Sequence, residues 1–201
     1  MLWLAPAPLV LASRSGSRRA MLEAAGIPLE VRVADIDERA VEVAAGVCAP
    51  GDAALLLACE KARTVGRLMP SRLVTGADQT LSFGSRRLDK PGDAAAARAQ
   101  LTMLAGRVHH LHSAVAVAQG DEVLFKTVDT AVLTMRPVTA GFLDRYLAAA
   151  GDDVLSSVGA YQLEKTGIHL FERIEGNYFT ILGLPLLPLL AFLRRHGSVA
   201  T

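Results

Sequence analysis

The sequence predicts an α/β fold built on a mixed sheet. Segments with helical spacing alternate along the chain with β-branched or alternating segments, the order expected when helices cover a sheet. Between His110 and Met135, however, two strand-like runs are separated only by Gly120-Asp121, a hairpin signal that adds antiparallel pairing. At 201 residues the chain fits a single domain, 1–201, which removes roughly 70% of its unfolded surface from water. Neither a Pro-, Gly- or Ser-rich linker nor an internal repeat divides it.

A first strand is expected at Leu9–Ala12, then a Gly/Ser turn and a helix over Ala20–Ala25, which Gly26-Ile27-Pro28 terminates. Leu29–Val33 is strand-like. Asp52–Leu68 is a long helix, with Leu56, Cys59 and Ala62 beside Ala58, Ala62 and Val65 on adjacent faces, and Met69-Pro70 closes it. Leu73–Ala77 is the next strand, and the acid and amide that follow, Asp78-Gln79, read as its interruption. Asp93–Leu104 is helical, with Ala97, Leu101 and Leu104 on one side. His110–Gln119 and Val123–Met135 form the hairpin, the latter as one strand or a pair. Thr139 caps a helix running to Gly151, Ile168–Ile174 is a strand, and Leu186–Arg195 is the closing helix.

Hydrophobic residues make up 51% of the chain and charged ones 20%, which excludes disorder. Lys plus Arg number 21 and Asp plus Glu 20, so a net charge of +1 supplies no long-range field for a polynucleotide or an anionic membrane. A local basic pocket remains open. Cys48 and Cys59 have no C-x-x-C spacing and read as reduced thiols of a cytoplasmic protein. The apolar start lacks a basic residue before Arg14, so it reads as a strand rather than an export signal. Ile181–Leu193 contains Pro185 and Pro188 and falls short of the roughly 20 residues of a membrane helix. His109, His110 and His112 lack the acidic or cysteine partners of a zinc site.

Polar groups collect where the strands end. Ser13-Arg14-Ser15-Gly16-Ser17-Arg18-Arg19 is a strand-to-helix turn whose backbone N–H groups and guanidinium forks suit phosphate, although a solvated helix start explains it too. It matches neither the Walker motif nor G-x-G-x-x-G. Asp35-Ile36-Asp37-Glu38 supplies oxygen ligands for Mg²⁺ on a polyphosphate, or ordinary acidic surface. Lys61 offsets phosphate charge or forms a salt bridge. Asp78 orients water or binds a cation, or is a turn-forming cap; Lys90-Pro91 follows twelve residues later.

Taken in order, L-A-S-R-S-G-S-R-R, D-I-D-E, E-K-A, G-A-D-Q-T, K-P, G-A-Y-Q-L-E and E-G-N-Y-F-T-I-L-G-L-P-L resemble the Maf family of nucleoside triphosphate pyrophosphatases, also called septum formation inhibitors, from about Leu9 to Leu193. The resemblance implies an elongated mixed sheet related to inosine triphosphate pyrophosphatases, with a cleft between lobes. It implies hydrolysis of a nucleoside triphosphate between its α and β phosphates, with Mg²⁺ or Mn²⁺ as cofactor. Asp78 matches the catalytic aspartate. Ser13, Ser15, Arg18, Arg19, Lys61 and Lys90 match the phosphate-binding set. Asp37, Glu38 and Asp78 are the metal-ligand candidates. The resemblance also permits a homodimer joined through Leu182–Leu193, a region that a buried terminal helix explains equally.

Two departures carry information. Many relatives have proline where this chain has Gly16, so the loop is less restrained before binding. The branch acting on thymidine and uridine triphosphates has A-D-T and a later Gln-Gly, where this chain has Ala77-Asp78-Gln79 and Glu164-Lys165. Arg14, Gln79 and Glu164 are therefore the specificity candidates. Gln79 and Glu164 resemble the branch preferring 7-methyl-guanosine triphosphate, because a carboxylate accepts the N1–H and N2–H of a guanine edge. An ion pair of Glu164 with Lys165 or Arg173 is the alternative. A pyrimidine-selective pyrophosphatase, a division regulator acting by protein contacts, and a polynucleotide binder using Arg14, Arg18, Arg19, Arg86 and Arg87 are the competing functions.

Overall fold

The computed structural model describes residues 2–46 and 49–201. Strand β1 (Leu9–Leu11) has two parallel neighbours, β2 (Leu29–Val31) and β3 (Leu73–Phe83). The short β4 (Arg86–Leu88) folds back antiparallel on the far end of β3. Along its other edge β3 pairs antiparallel with β5 (Val108–Gln119), which pairs with β6 (Glu122–Met135), which pairs with β7 (Phe171–Glu175). The sheet order is thus β2-β1-β3-β5-β6-β7, with β3 as the seam between its parallel and antiparallel parts.

Helix α1 (Gly16–Ala24) crosses from β1 to β2; α2 (Glu38–Ala45) and α3 (Pro50–Leu68) cross from β2 to β3. α4 (Ala94–Leu104) leads into the β5–β6 hairpin. α5 (Ala140–Ala150) and 3-10 turns at Gly151–Leu155, Val158–Ala160 and Thr166–Leu170 lead to β7, after which come α6 (Tyr178–Ile181) and α7 (Leu186–Arg195). Side-chain oxygens of Ser15, Asp37, Asp93 and Thr139 each accept a backbone N–H of the helix that follows, an arrangement worth about 1 kcal/mol per cap.

The mixed α/β architecture follows the alternation read from the sequence, with four local differences. β3 does not stop at Ala77. It runs through Asp78 and Gln79 to Phe83, because β5 continues the ladder alongside it from Leu73↔Gln119 to Ser82↔His110. Asp35-Ile36-Asp37-Glu38 is not all loop: Asp37 caps α2 and Glu38 opens it. Ile168–Leu170 belongs to a 3-10 turn, and the strand begins only at Phe171. α1 starts at Gly16, four residues before the expected Ala20, because Ser15 already caps it.

The ends of the described chain are held in the fold. Trp3 pairs with Val199, and the Leu4 N–H donates to the Ser198 carbonyl at 2.8 Å. Leu186, Leu189, Phe192 and Leu193 of α7 are buried within the chain, while Leu187 is exposed. Among the described residues no helix is long and apolar enough to cross a membrane. Cys59 is a free thiol whose pKa burial pushes up, as expected of an inert buried cysteine. Cys48 lies outside the described residues.

Helix α3 packs through small residues. Ala54, Ala58, Cys59 and Ala62 meet Ala114, Ala116 and Ala118 of β5. Two glycines permit the approach. A Cβ on Gly76 of β3 would lie 2.2 Å from the Ala58 carbonyl oxygen, and one on Gly66 of α3 would lie 2.2 Å from the carbonyl oxygen of Gly120, in the β5–β6 turn. Neither distance leaves room for a methyl group. Gly76→Ala must therefore push α3 off the sheet, and urea unfolding should show a loss of about 1–3 kcal/mol; an unchanged midpoint would show that the helix yields freely.

Strand alternation splits the three histidines. His109 points into the core, where Nε2 meets the Tyr161 hydroxyl at 2.8 Å and Nδ1 has no hydrogen-bond partner. His110 and His112 lie on the other face and stack, His112 contacting Ser82 and Thr130. Burial, with a smaller contribution from His110, lowers the His109 pKa from its ordinary 6.5 to about 4. The unfolded chain thus takes up this proton before the folded one does, so His109 stabilises fully above about pH 6.5 and its contribution is lost toward pH 4. Urea midpoints should fall across that window, with His109 accounting for up to about 3 kcal/mol. A His109→Leu variant should have the shallower pH slope; an equal slope would remove His109 as its source.

Candidate active site

A cleft of about 880 Å³ opens where β1 and β3 meet the turn into α1, with the 3-10 segment as its opposite wall. Asp78 sits on its floor, 9% exposed. Because side chains alternate along a strand, Asp78 and Gln79 leave β3 on opposite faces. Asp78 takes the α3 side and Gln79 the side of α6, and both line the cleft. The acid and amide that looked like a strand end lie on the two faces of one continuous strand.

On the α3 side, the Lys61 ammonium contacts Asp78 Oδ1 at 2.6 Å and Glu38 Oε1 at 2.7 Å. The Lys61 and Asp78 side chains are each 12% exposed, whereas Glu38 is 53% exposed. Two carboxylates therefore converge on one nearly buried cation. Thr80, on the same face of β3, donates to the Pro50 carbonyl at 2.7 Å and ties the start of α3 to the strand.

Arg18 is the other fixed cation. Its Nε donates to the Gly183 carbonyl at 2.7 Å, and Nη1 donates to the Ala77 carbonyl at 2.9 Å and to Ser13 Oγ at 3.1 Å. The fork joins the α1 turn, β3 and the chain after α6 at one point. Burial lowers its pKa, while Asp78 and Glu38 oppose the shift. A guanidinium stays charged under such pressure, so the cleft keeps a desolvated positive charge beside Asp78. Ser15 caps α1 by accepting the Arg18 N–H, and the Ser15 N–H donates to Ser13 Oγ.

The Gln79 amide is oriented by its acceptors. Nε2 donates to the Thr180 and Ile181 carbonyls at 3.1 and 3.0 Å and to Ser113 Oγ at 2.9 Å. Carbonyls only accept, so the nitrogen must face them and Oε1 is the end left for a ligand. Glu164 reaches the cleft from the 3-10 segment and accepts the Ser17 hydroxyl at 2.7 Å. It pairs with neither expected cation: Lys165 bonds Asp153 and Arg173 bonds Glu175, each at 2.7 Å. Arg14 and Lys90 also line the cleft.

Two expected residues stand apart. Arg19 does not line the cleft; it forms a surface pair with Glu23 one helical turn on, because the helix that aims Arg18 inward carries its neighbour away. Asp37 does not line it either, and its Oδ1 is engaged by the Ala40 N–H as the cap of α2. Asp35 lies at the wall in its place, and Arg87, Ser157 and Gln162 join it. Arg87 had a signal in the sequence: in the Arg86-Arg87 pair that follows the Gly84-Ser85 turn, strand alternation sends the two guanidiniums to opposite sides. The 3-10 wall had none of the periodicity by which elements are read.

Glu38 and Asp78 fit a divalent cation on chemical grounds. Mg²⁺ takes one or two carboxylates and completes its shell with water and substrate phosphate. Among the described residues no group of three or more His, Cys, Asp or Glu side chains is placed to hold a metal, so phosphate oxygens would complete such a site. Asp37, committed to its cap, does not join the set.

The Maf-like protein family matches residues 8–196. The chain belongs to this family. It is 55% identical to a Rhodopseudomonas palustris protein named nucleoside triphosphate pyrophosphatase, over 99% of this chain and 98% of that one. It is 52% identical to a Rhizobium meliloti protein named 7-methyl-GTP pyrophosphatase, over 95% and 97% of the two chains. Among solved structures, this Maf chain is similar to a nucleoside-triphosphatase / dITP/XTP pyrophosphatase from Mycobacterium abscessus, at 15% identity over 94% of each chain with a TM-score of 0.41.

Proposed function

We propose that this cleft hydrolyses a nucleoside triphosphate to the monophosphate and pyrophosphate, favouring 7-methyl-guanosine triphosphate or another modified guanine nucleotide. The chain is a hydrolase, a nucleoside triphosphate pyrophosphatase of the Maf family. The observation that carries the reading is the juxtaposition of buried Asp78 with the cations Lys61 and Arg18 on a cleft floor. A carboxylate held between cations in a site shielded from water can position a water molecule against a polyanion whose charge those cations balance.

Arg18, Lys61, Lys90 and the Ser13–Ser15 turn hold the phosphates. Asp78 orients water toward the α phosphorus and receives its proton; an oxygen–phosphorus bond forms there, the bond to the bridging oxygen breaks, and pyrophosphate leaves with that electron pair. Glu38 and Asp78 would hold Mg²⁺ or Mn²⁺, which when bound supplies charge neutralisation for the phosphate oxygens. Asp78→Asn keeps the shape and removes the proton acceptor. Its turnover should fall by at least about 10²-fold while its thermal unfolding stays cooperative; near-normal turnover in the folded variant would reject this role.

The preference for guanine rests on two acceptors. The Gln79 amide nitrogen is already spent, so Oε1 faces ligands as an acceptor, and Glu164 adds a carboxylate that makes no ion pair among the described residues. The guanine edge offers N1–H and N2–H, two adjacent donors to match; a uracil or thymine edge offers a single N3–H flanked by carbonyls, so only one acceptor can be satisfied and the other is repelled. In a matched kinetic panel, kcat/KM for 7-methyl-guanosine triphosphate should exceed that for thymidine and uridine triphosphates, and Glu164→Gln should narrow the gap. Equal losses on all substrates would move Glu164 from recognition to support of the fold. A wild-type pyrimidine preference would overturn the base assignment and leave the hydrolase intact.

A further inference from the structure

Helix α2 covers one flank of the cleft without burying any of its own residues. Its two ion pairs among the described residues both go to cations of the cleft wall. Glu38 takes Lys61 at 2.7 Å, and Glu42, one turn later on the same face, takes Arg87 Nη1 at 2.8 Å. Arg87 comes from β4, a three-residue strand paired to the end of β3, and its side chain is 33% exposed. Its Nε lies 3.6 Å from Asp89, a carboxylate 85% exposed and hence a weak competitor for the guanidinium.

We propose that Arg87 binds a phosphate of the substrate and that Glu42 occupies this guanidinium until the polyanion displaces it. The inference rests on the triphosphate reading of the cleft, and it adds both a residue and an exchange to it. An arginine fork donates to carboxylate and phosphate oxygens alike, and Glu42 Oε1, which accepts from Arg87 Nη1 at 2.8 Å, stands where a phosphate oxygen would sit. A triphosphate brings several charges against one and wins the exchange through its simultaneous contacts with Arg18, Lys61 and Lys90. α2 is suited to yield because none of its residues is fully buried, Val41 being only partly so.

The test is calorimetric binding of inorganic tripolyphosphate in metal-free buffer to wild type, Arg87→Gln, Glu42→Gln and the double variant. Tripolyphosphate has no base and is read by binding alone, so the outcome is separate from substrate preference and from turnover. Arg87→Gln should weaken binding roughly tenfold or more, the loss of one charge-assisted contact. Glu42→Gln should tighten it several-fold by removing the competitor, and the double variant should match Arg87→Gln, since the competitor matters only while the guanidinium is there. If Arg87 and Glu42 only brace β4 against α2, both single variants break the same brace and weaken binding alike. That result, or wild-type indifference to tripolyphosphate, overturns the proposal. Should Arg87→Gln fail to fold, the sign of the Glu42→Gln effect decides alone. Normal binding with no hydrolysis of any nucleoside triphosphate would sink the pyrophosphatase reading and leave this one standing.

Discussion

Helix α3 lies on β3 so closely that neither Gly76 nor Gly66 has room for a methyl group, and the geometry of the cleft depends on that approach. An alanine seam makes it possible: with Ala58 and Ala62 facing the strand, backbone meets backbone instead of being held apart by larger side chains. Lys61 sits within that stretch of helix, so the same packing delivers its ammonium to Asp78. A bulkier seam would lift α3, and with it the only basic group that contacts Asp78 among the described ion pairs. The packing is therefore a positioning device as much as a source of stability.

The Lys61–Asp78 pair has a chemical cost that its Coulomb energy does not obviously repay. Removing two charges from water is expensive, and a well-packed apolar pair is often as stable or more so. Here one ammonium serves two carboxylates, and Arg18 lies nearby with every contact drawn from a different part of the chain. Such an arrangement spends stability to fix charges in place before a ligand arrives. Electrostatic catalysis requires that state, because dipoles and charges already in position need no reorganisation during the reaction.

Much of the fold could be read from the sequence because period and punctuation agreed. Alternation of helical and extended segments gave the class, and Gly120-Asp121 gave the hairpin. Thr139 marked its helix start as the cap, and the helix read from Asp93 begins one residue later, with Asp93 capping it. The misreading of Asp78-Gln79 has a physical origin: polarity inside a buried strand normally argues for a turn, and here each polar group is satisfied by a partner distant in sequence, Lys61 for one and Thr180 and Ile181 for the other. The 3-10 wall was hidden for another reason, since it lacks a helical or strand period. Order and spacing of motifs placed Arg18, Lys61 and Asp78 correctly in the cleft, whereas Arg19 and Asp37 show that adjacency to a motif does not fix direction. On a helix, one residue further on is about 100° around the axis.

β3 acts as a partition because its two faces answer to different elements. The face bearing Gly76, Asp78 and Thr80 is read by α3, and through Lys61 by Glu38 at the start of α2. The face bearing Gln79 is read by Ser113 and the α6 carbonyls, close to where Arg18 reaches the Gly183 carbonyl. On the proposed reading, chemistry and recognition are carried by neighbouring residues that share a backbone but no side-chain contacts. A change in the recognition face can then retune which base is accepted without disturbing the charges around Asp78. The strand insulates one face from the other, and only the rigid spacing between them is common to both.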